Sequence, residues 1–305
     1  MTDKPIITRF APSPTGYLHL GHVVNALFVW GLAKLKMGKV ILRMEDHDQT
    51  RCKLEFEEAI LEDLEILGLQ PELGVLSTFK THPCDFRQSD CQHHYDRALS
   101  DLIEKNLVYA CDCSRMAVRN RTGQPDSDDL QYDGFCQSRN LPLTFGHTLR
   151  VKLSEELVSF HDWICGPQIQ EPAKQCGDLA IKDKNGNWTY QFAVVVDDIR
   201  HGVDWVVRGR DLLFSTGRQI LIRKLLGEAS MPQFAHHNLL TDPSGRKLSK
   251  KDFDSDIHVR LKAGIAPELI LGEALYKLGF QTQPHPIDTH KALELVGRYY
   301  SSLGI

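Results

Sequence analysis

The chain has 305 residues, 42% apolar and 25% charged, with a formal net charge of −4. This suffices for a large core in one or two domains and excludes general affinity for nucleic acid by net charge. No run approaches the ~18 apolar residues of a membrane span, and the polar start Met1-Thr2-Asp3-Lys4 lacks a signal-peptide profile, so a cytoplasmic protein without membrane attachment is expected.

In chain order, Ile6–Phe10 and Val40–Met44 read as short strands around a helical period over Val23–Lys36 that Gly38 punctuates. Strand, helix, strand predicts a parallel sheet with a right-handed crossover. A second helix, Lys53–Leu67, sets Phe56, Ala59, Ile60, Leu64 and Leu67 on one face and closes at Gly68. Residues 82–107 read as a third helix with Tyr95, Leu99, Leu102 and Ile103 buried. From Tyr109 to Asp178 the pattern breaks into short polar pieces, an insertion into the sheet domain. Leu179–Lys182 and Trp188–Phe192 flank Asn185-Gly186, which predicts a hairpin with a type I′ turn. Val203–Arg208 is a strand, Ser215–Leu226 a helix, and the chain beyond Lys251 mostly helical. The expected organisation is α/β: a Rossmann-like sheet domain in two halves, 1–108 and 179–255, an insertion over 109–178, and a helical C-terminal region over 256–305.

Two segments carry chemistry. Pro12–His22 reads PSPTGYLHLGH and sits where the first strand turns into the first helix. There, free backbone N–H groups and the helix dipole favour a phosphate, His19 and His22 can both face it, and Gly21 allows close approach. Lys247–Lys251 reads KLSKK after the turn signal Asp242-Pro243-Ser244-Gly245. A basic loop beside a phosphate site suits a transition state that carries negative charge. Ser249-Lys250 as a nucleophile pair is the weaker reading, because neighbours in a basic loop rarely build that geometry.

Together the segments resemble the two signatures of class I aminoacyl-tRNA synthetases. Arg9–Gly16 (RFAPSPTG), Arg43–Asp46 (RMED), Tyr190–Asp198 (YQFAVVVDD) and Val207–Gly209 (VRG) narrow the resemblance to the glutamyl/glutaminyl branch. It implies ATP, with magnesium, as a substrate held by His19, Gly21, His22, Lys247, Ser249 and Lys250, with His19, His22 and Lys250 catalytic. It implies glutamate binding by Arg9, Phe10, Ala11, Pro12, Ser13, Glu45, Tyr190 and Arg208. The residue types suit the ligand: an arginine fork for the side-chain carboxylate, Glu45 for the α-ammonium, and hydroxyls for further hydrogen bonds. Val194 stands where glutamyl-tRNA synthetases commonly have asparagine, so a somewhat altered pocket is expected.

Of eight cysteines, Cys52, Cys84, Cys91, Cys165 and Cys176 have no mutual ligand spacing and read as ordinary thiols. Cys111, Cys113 and Cys136 are one ligand short of an all-cysteine tetrahedral site. With Tyr132 they resemble the CxC…YxxxC insert of the glutamyl-queuosine tRNA(Asp) synthetases, which implies one structural zinc held by Cys111, Cys113, Tyr132 and Cys136. The acidic stretch Asp126–Asp129 lengthens this loop.

Only 54 residues follow KLSKK, too few for the helical anticodon-binding domains of a full glutamyl-tRNA synthetase. In this the chain again resembles the glutamyl-queuosine tRNA(Asp) synthetases, and the resemblance implies ATP-dependent glutamate activation and transfer to queuosine in the tRNA(Asp) anticodon arm; a monomer is expected. A short glutamyl-tRNA synthetase charging a tRNA 3′ end is the alternative. A small-molecule nucleotidyltransferase and a binding-only protein are more distant ones. Eleven Lys/Arg against six acids over Val206–Lys262 mark the expected RNA face.

Overall fold

The structure, a computed structural model, describes residues 4–124, 130–240 and 256–305; KLSKK and Asp126–Asp129 lie outside them. The first unit is β1 (Ile7–Phe10), α1 (Leu20–Leu35) and β2 (Lys39–Leu42), with β1 and β2 parallel and Arg9 opposite Ile41. α1 is buried along nearly its whole length, from Leu20 to Ala33. Next come α2 (Leu54–Ile66), α3 (Gln92–Glu104), β3 (Val108–Cys111), α4 (Arg115–Thr122), β4 (Thr148–Val151), β5 (Val158–Asp162), β6 (Gly166–Gln170), α5 (Pro172–Cys176) and β7 (Leu179–Lys182). The chain continues with α6 (Tyr190–Arg200), β8 (Trp205–Gly209), α7 (Thr216–Leu225), β9 (Gln233–His237), α8 (Ile257–Lys262), α9 (Pro267–Lys277) and α10 (Thr289–Ser302).

The main sheet has the order β2-β1-β8-β9-β5-β6, parallel except for the edge strand β6. β1 sends its crossover helix toward β2 while its other neighbour is β8. The carboxyl ends of β1 and β8 therefore flank a switch point, where open α/β sheets place ligands. Helix α10 closes the opposite face of α1. At their crossing a Cβ on Gly31 would lie 2.8 Å from Val296 Cγ1, so only glycine allows this approach. Among the described residues no helix is long and apolar enough to cross a membrane.

Four expectations are corrected. Residues 82–91 are not α-helical: α3 begins at Gln92, a short 3-10 helix (Gln88–Cys91) precedes it, and Arg87 braces the segment through Glu57, Asp90 and the Phe79 carbonyl. Ile103 is exposed. The hairpin turn is not type I′, because Asn185 keeps negative φ and only Gly186 (φ 85°) is left-handed. Asp183 builds that turn by accepting the amides of Asn185 and Asn187, both at 2.8 Å. Its return strand is a single bridge, Lys182 to Trp188, before α6 begins. The rest of the expected strand Trp188–Phe192 is helical from Tyr190 onward, and because Phe192–Asp198 are all buried no polar period marks the change. Finally, β5 and β6 from the predicted insertion complete the main sheet, whereas β7 joins β3 and β4 in a small antiparallel sheet. Such pairings depend on long-range partners that leave no local signal.

Candidate active site

α1 begins at the switch point, and its N-terminus is closed by its own histidines. The His19 amide donates to His22 Nδ1 at 3.0 Å, and the Gly21 amide to His19 Nδ1 at 3.1 Å. The rings lie against each other with centroids 3.9 Å apart and planes tilted by 30°. A nitrogen that accepts from an amide carries no proton, so each neutral ring holds its proton on Nε2 and is an N–H donor there. This alters the expectation of free amides for a phosphate: the imidazoles take those amides and put ring donors at the positive end of the helix. Gly21 has a second reason to be glycine, since a Cβ would stand 2.9 Å from His19 Cε1.

Across the switch point lies a buried charge network. Arg43, fully buried, donates to Asp198 Oδ1 (2.8 Å) and Glu45 Oε1 (2.9 Å), with its Nε 3.7 Å from Asp197. Arg9 Nε meets both oxygens of Asp198 at 3.2 and 3.3 Å and its terminal nitrogen donates to the Val207 carbonyl. Asp197 also accepts from Arg200, Gln88 and Tyr95. Burial by itself raises the Asp198 pKa, but Arg9 and Arg43 outweigh it and hold the carboxyl below its ordinary value. Arg9, Arg43 and Arg200 are thus matched by Glu45, Asp197 and Asp198.

Arg208 is not matched. It is buried, and its three described side-chain partners are uncharged: His236 Nε2 (2.9 Å), Gln219 Oε1 (2.8 Å) and Thr216 Oγ1 (3.0 Å). Among the described residues no carboxylate lies within ion-pair distance of it. Burial lowers its pKa, and the neighbouring Tyr190 phenol works against that loss. A buried guanidinium without a counter-ion, held by neutral groups, is ready to receive an anion.

Arg9, Ala11, His19, Gly21, His22, Glu45, Tyr190 and Arg208 line one cavity of about 420 Å³. Three other residues expected in the glutamate site do not. Phe10 faces the core, its ring 5.5 Å from Trp30. Pro12 serves through its carbonyl, which accepts the Glu45 amide at 2.9 Å, and Ser13 is exposed. Val194 packs in the buried cluster with Tyr95, Trp188 and Phe192 and is absent from the lining, so its substitution makes no direct contact in the cavity. Lys247, Ser249 and Lys250 lie outside the described residues. Asn25 and His237 also line the cavity, joined at 3.1 Å, while Asp162, Thr216, Gln219 and His236 support Arg208 from behind. Sequence reading assigned none of these six, because they are drawn from four elements far apart in the chain, α1, β5, α7 and β9, and only the fold brings them together. A second cleft of about 810 Å³ continues past Asp211 and Leu239, lined by Phe28, Phe280 and Tyr299 with Arg210 and Lys277.

The thiols of Cys111, Cys113 and Cys136 lie within 4.8 Å of one another. Cys113 and Cys136 are 3.5 Å apart, and the Tyr132 hydroxyl is 3.4 and 4.0 Å from Cys111 and Cys113. Tetrahedral zinc–sulfur bonds of ~2.3 Å require sulfurs ~3.8 Å apart, so the donor set fits that metal. Arg121 and Arg139 reach Cys113 and Cys136 at 3.4 and 3.3 Å, where their charges would offset those of thiolates holding a metal.

Strand ends meeting a helix N-terminus at the switch point of a parallel sheet are the ligand-site plan of open α/β enzymes, and the class I aminoacyl-tRNA synthetases are the class that the sequence matches. Residues 5–292 match the family described as tRNA synthetases class I (E and Q), catalytic domain. Glutamyl-Q tRNA(Asp) synthetase of Geobacter sulfurreducens is 40% identical over 252 residues, covering 82% of this chain and 77% of that one. The protein of the same name from Pseudomonas putida is 36% identical over 284 residues, covering 93% and 87%. The solved glutamate tRNA ligase of Elizabethkingia meningosepticum, in complex with its amino acid, matches with a TM-score of 0.77 at 26% identity. That match covers 96% of this chain and 66% of the solved one. The chain belongs to the class I (E and Q) synthetases, and within them to the glutamyl-Q tRNA(Asp) synthetases.

Proposed function

We infer that this chain activates glutamate with ATP in the cavity above and transfers it to the queuosine base of the tRNA(Asp) anticodon. The observation that carries the substrate assignment is Arg208, a buried cation without a described carboxylate partner, across the cavity from Glu45. The substrate's γ-carboxylate completes Arg208 and its α-ammonium meets Glu45, while Tyr190 adds a hydroxyl. Arg9 is already occupied by Asp198, which favours Arg208 as the partner of the side-chain carboxylate.

In the first step an α-carboxylate oxygen attacks the α-phosphorus of ATP and pyrophosphate leaves. His19 and His22 donate to phosphate oxygens as charge grows there, and the family resemblance adds Lys250. No protein base is needed, because the nucleophile is already ionised. In the second step a hydroxyl of the queuosine cis-diol attacks the acyl carbon, AMP leaves and an ester forms.

The cleft beside the cavity is the proposed seat of the RNA loop. Its aromatic faces and cations suit unstacked bases and phosphates. Of the basic face expected over Val206–Lys262, Arg246, Lys247, Lys250 and Lys251 lie outside the described residues, and the described remainder narrows the proposal to the cleft. Arg208, Arg218 and Arg223 are buried, and Lys224, Arg260 and Lys262 pair with Glu156, Glu273 and Glu62. Arg210 is exposed at the cleft. A tRNA(Asp) anticodon stem-loop with queuosine is expected to accept glutamate, and the same stem-loop with guanine is not. Esterification of an intact tRNA 3′ end with an inert stem-loop would make the protein a short glutamyl-tRNA synthetase instead.

Cys111, Cys113, Tyr132 and Cys136 are the proposed zinc ligands, fastening a loop that has little core of its own. Elemental analysis of protein purified without chelator should find one zinc per chain, and Cys113→Ala should lose it and lower Tm. Absence of zinc from the parent protein returns the cluster to free thiols.

A further inference from the structure

We propose that Asp162 and His236 are a positioning pair for Arg208: they supply its Nε with an acceptor that leaves its charge available, and so set selectivity for a carboxylate substrate over its amide. This rests on the reading of Arg208 given above.

The problem these residues solve is electrostatic. A buried guanidinium needs acceptors around it, yet a carboxylate in direct contact would neutralise the charge meant for substrate. The structure does contain a buried carboxylate on this line, but one imidazole further back. His236 Nε2 receives Arg208 Nε at 2.9 Å, and His236 Nδ1 faces Asp162 Oδ2 at 2.6 Å, with both Asp162 and His236 fully buried. Arginine only donates, so Nε2 must be the accepting nitrogen and the single ring proton belongs on Nδ1, where Asp162 takes it. The other Asp162 oxygen accepts the amides of Cys165 (2.7 Å), Ile164 (3.0 Å) and His236 (3.3 Å). These bonds fix the carboxylate at the end of β5, beside β9, which carries His236. Burial favours the neutral imidazole, consistent with its pKa lying below the ordinary value.

Asp162→Asn is therefore a specific lesion. The amide oxygen can keep the backbone bonds at Cys165 and Ile164, which directs the NH2 group at His236 Nδ1. Two donors cannot share that contact. The ring must shift its proton to Nε2, which then opposes Arg208 Nε–H at the distance of a hydrogen bond. Arg208 loses its anchor while the fold keeps its contacts.

Pyrophosphate exchange on the full chain tests this, with KM for glutamate and ATP, kcat, Tm and the glutamate-to-glutamine ratio of kcat/KM measured together. Asp162→Asn is expected to raise the glutamate KM by about tenfold or more and to cut the glutamate-to-glutamine ratio similarly, with the ATP KM within about twofold and Tm little changed. His236→Leu should behave alike, whereas His236→Gln, which restores a neutral acceptor, should recover most of the loss. Unchanged glutamate KM and selectivity in Asp162→Asn overturns the proposal. So does a parallel fall of kcat and Tm in which His236→Gln is no better than His236→Leu, since that is a structural role only. Arg208→Leu measured alongside separates the two readings. If it leaves the glutamate KM unchanged, the pocket assignment itself falls; if it raises KM while Asp162→Asn does not, the pair alone falls.

Discussion

Arg208→Leu is expected to lower kcat/KM for glutamate by about three powers of ten in pyrophosphate exchange. Two charge-assisted hydrogen bonds from a buried fork contribute roughly 1.5–3 kcal/mol each, and ~4 kcal/mol corresponds to about a thousandfold. Leucine fills much of the volume without a charge, so the variant should fold. It also removes donors from His236, Gln219 and Thr216, whose remaining acceptors are neutral and cost less to leave unmade. Arg208→Lys should recover only part of the activity, because an ammonium keeps the charge but not the two parallel donors. Glutamine should be a poor substrate of the parent protein, as its amide leaves the guanidinium partly uncompensated. Comparable activation of the two amino acids, or an Arg208→Leu variant with ordinary glutamate kinetics, would remove Arg208 from the carboxylate site.

The second large effect concerns the helix N-terminus. His22→Ala should slow adenylate formation by about two powers of ten with little change in glutamate KM, because it deletes a donor whose contact strengthens only as phosphate charge grows. It also removes the acceptor for the His19 amide, so a loss of ~1 kcal/mol of stability accompanies it, as for other helix caps. Single-turnover measurement at saturating ATP and glutamate separates the two. His19 and His22 hold one another in place, so the double alanine variant should fall well short of the product of the single effects. Lys250→Ala, chosen from the family resemblance, should cost a similar factor in the same step. A chemical rate that His22→Ala leaves untouched would confine the imidazoles to capping.

Much of this site was legible before any fold was known, because its signatures are local. The turn from Phe10 to His22 and the spacing of the two histidines, the CxC…YxxxC pattern, and the strand-helix-strand opening each lie within a few dozen residues, where turn chemistry and helical period operate directly. The sequence also determined which residues of the VVVDD segment carry charge, but not what that charge does. Tertiary structure alone decided that Asp197 and Asp198 are spent on Arg9, Arg43 and Arg200, leaving Arg208 without a carboxylate partner among the described residues. It turned that segment into a helix, since burial on every side outweighs the β preference of valine. It moved Phe10 into the core and made the histidines cap their own helix. It also brought Asp162 to His236 across 74 positions of chain, through the pairing of β5 with β9. Charge balance and tautomer depend on distances between elements, and those are set by packing rather than by any spacing along the chain.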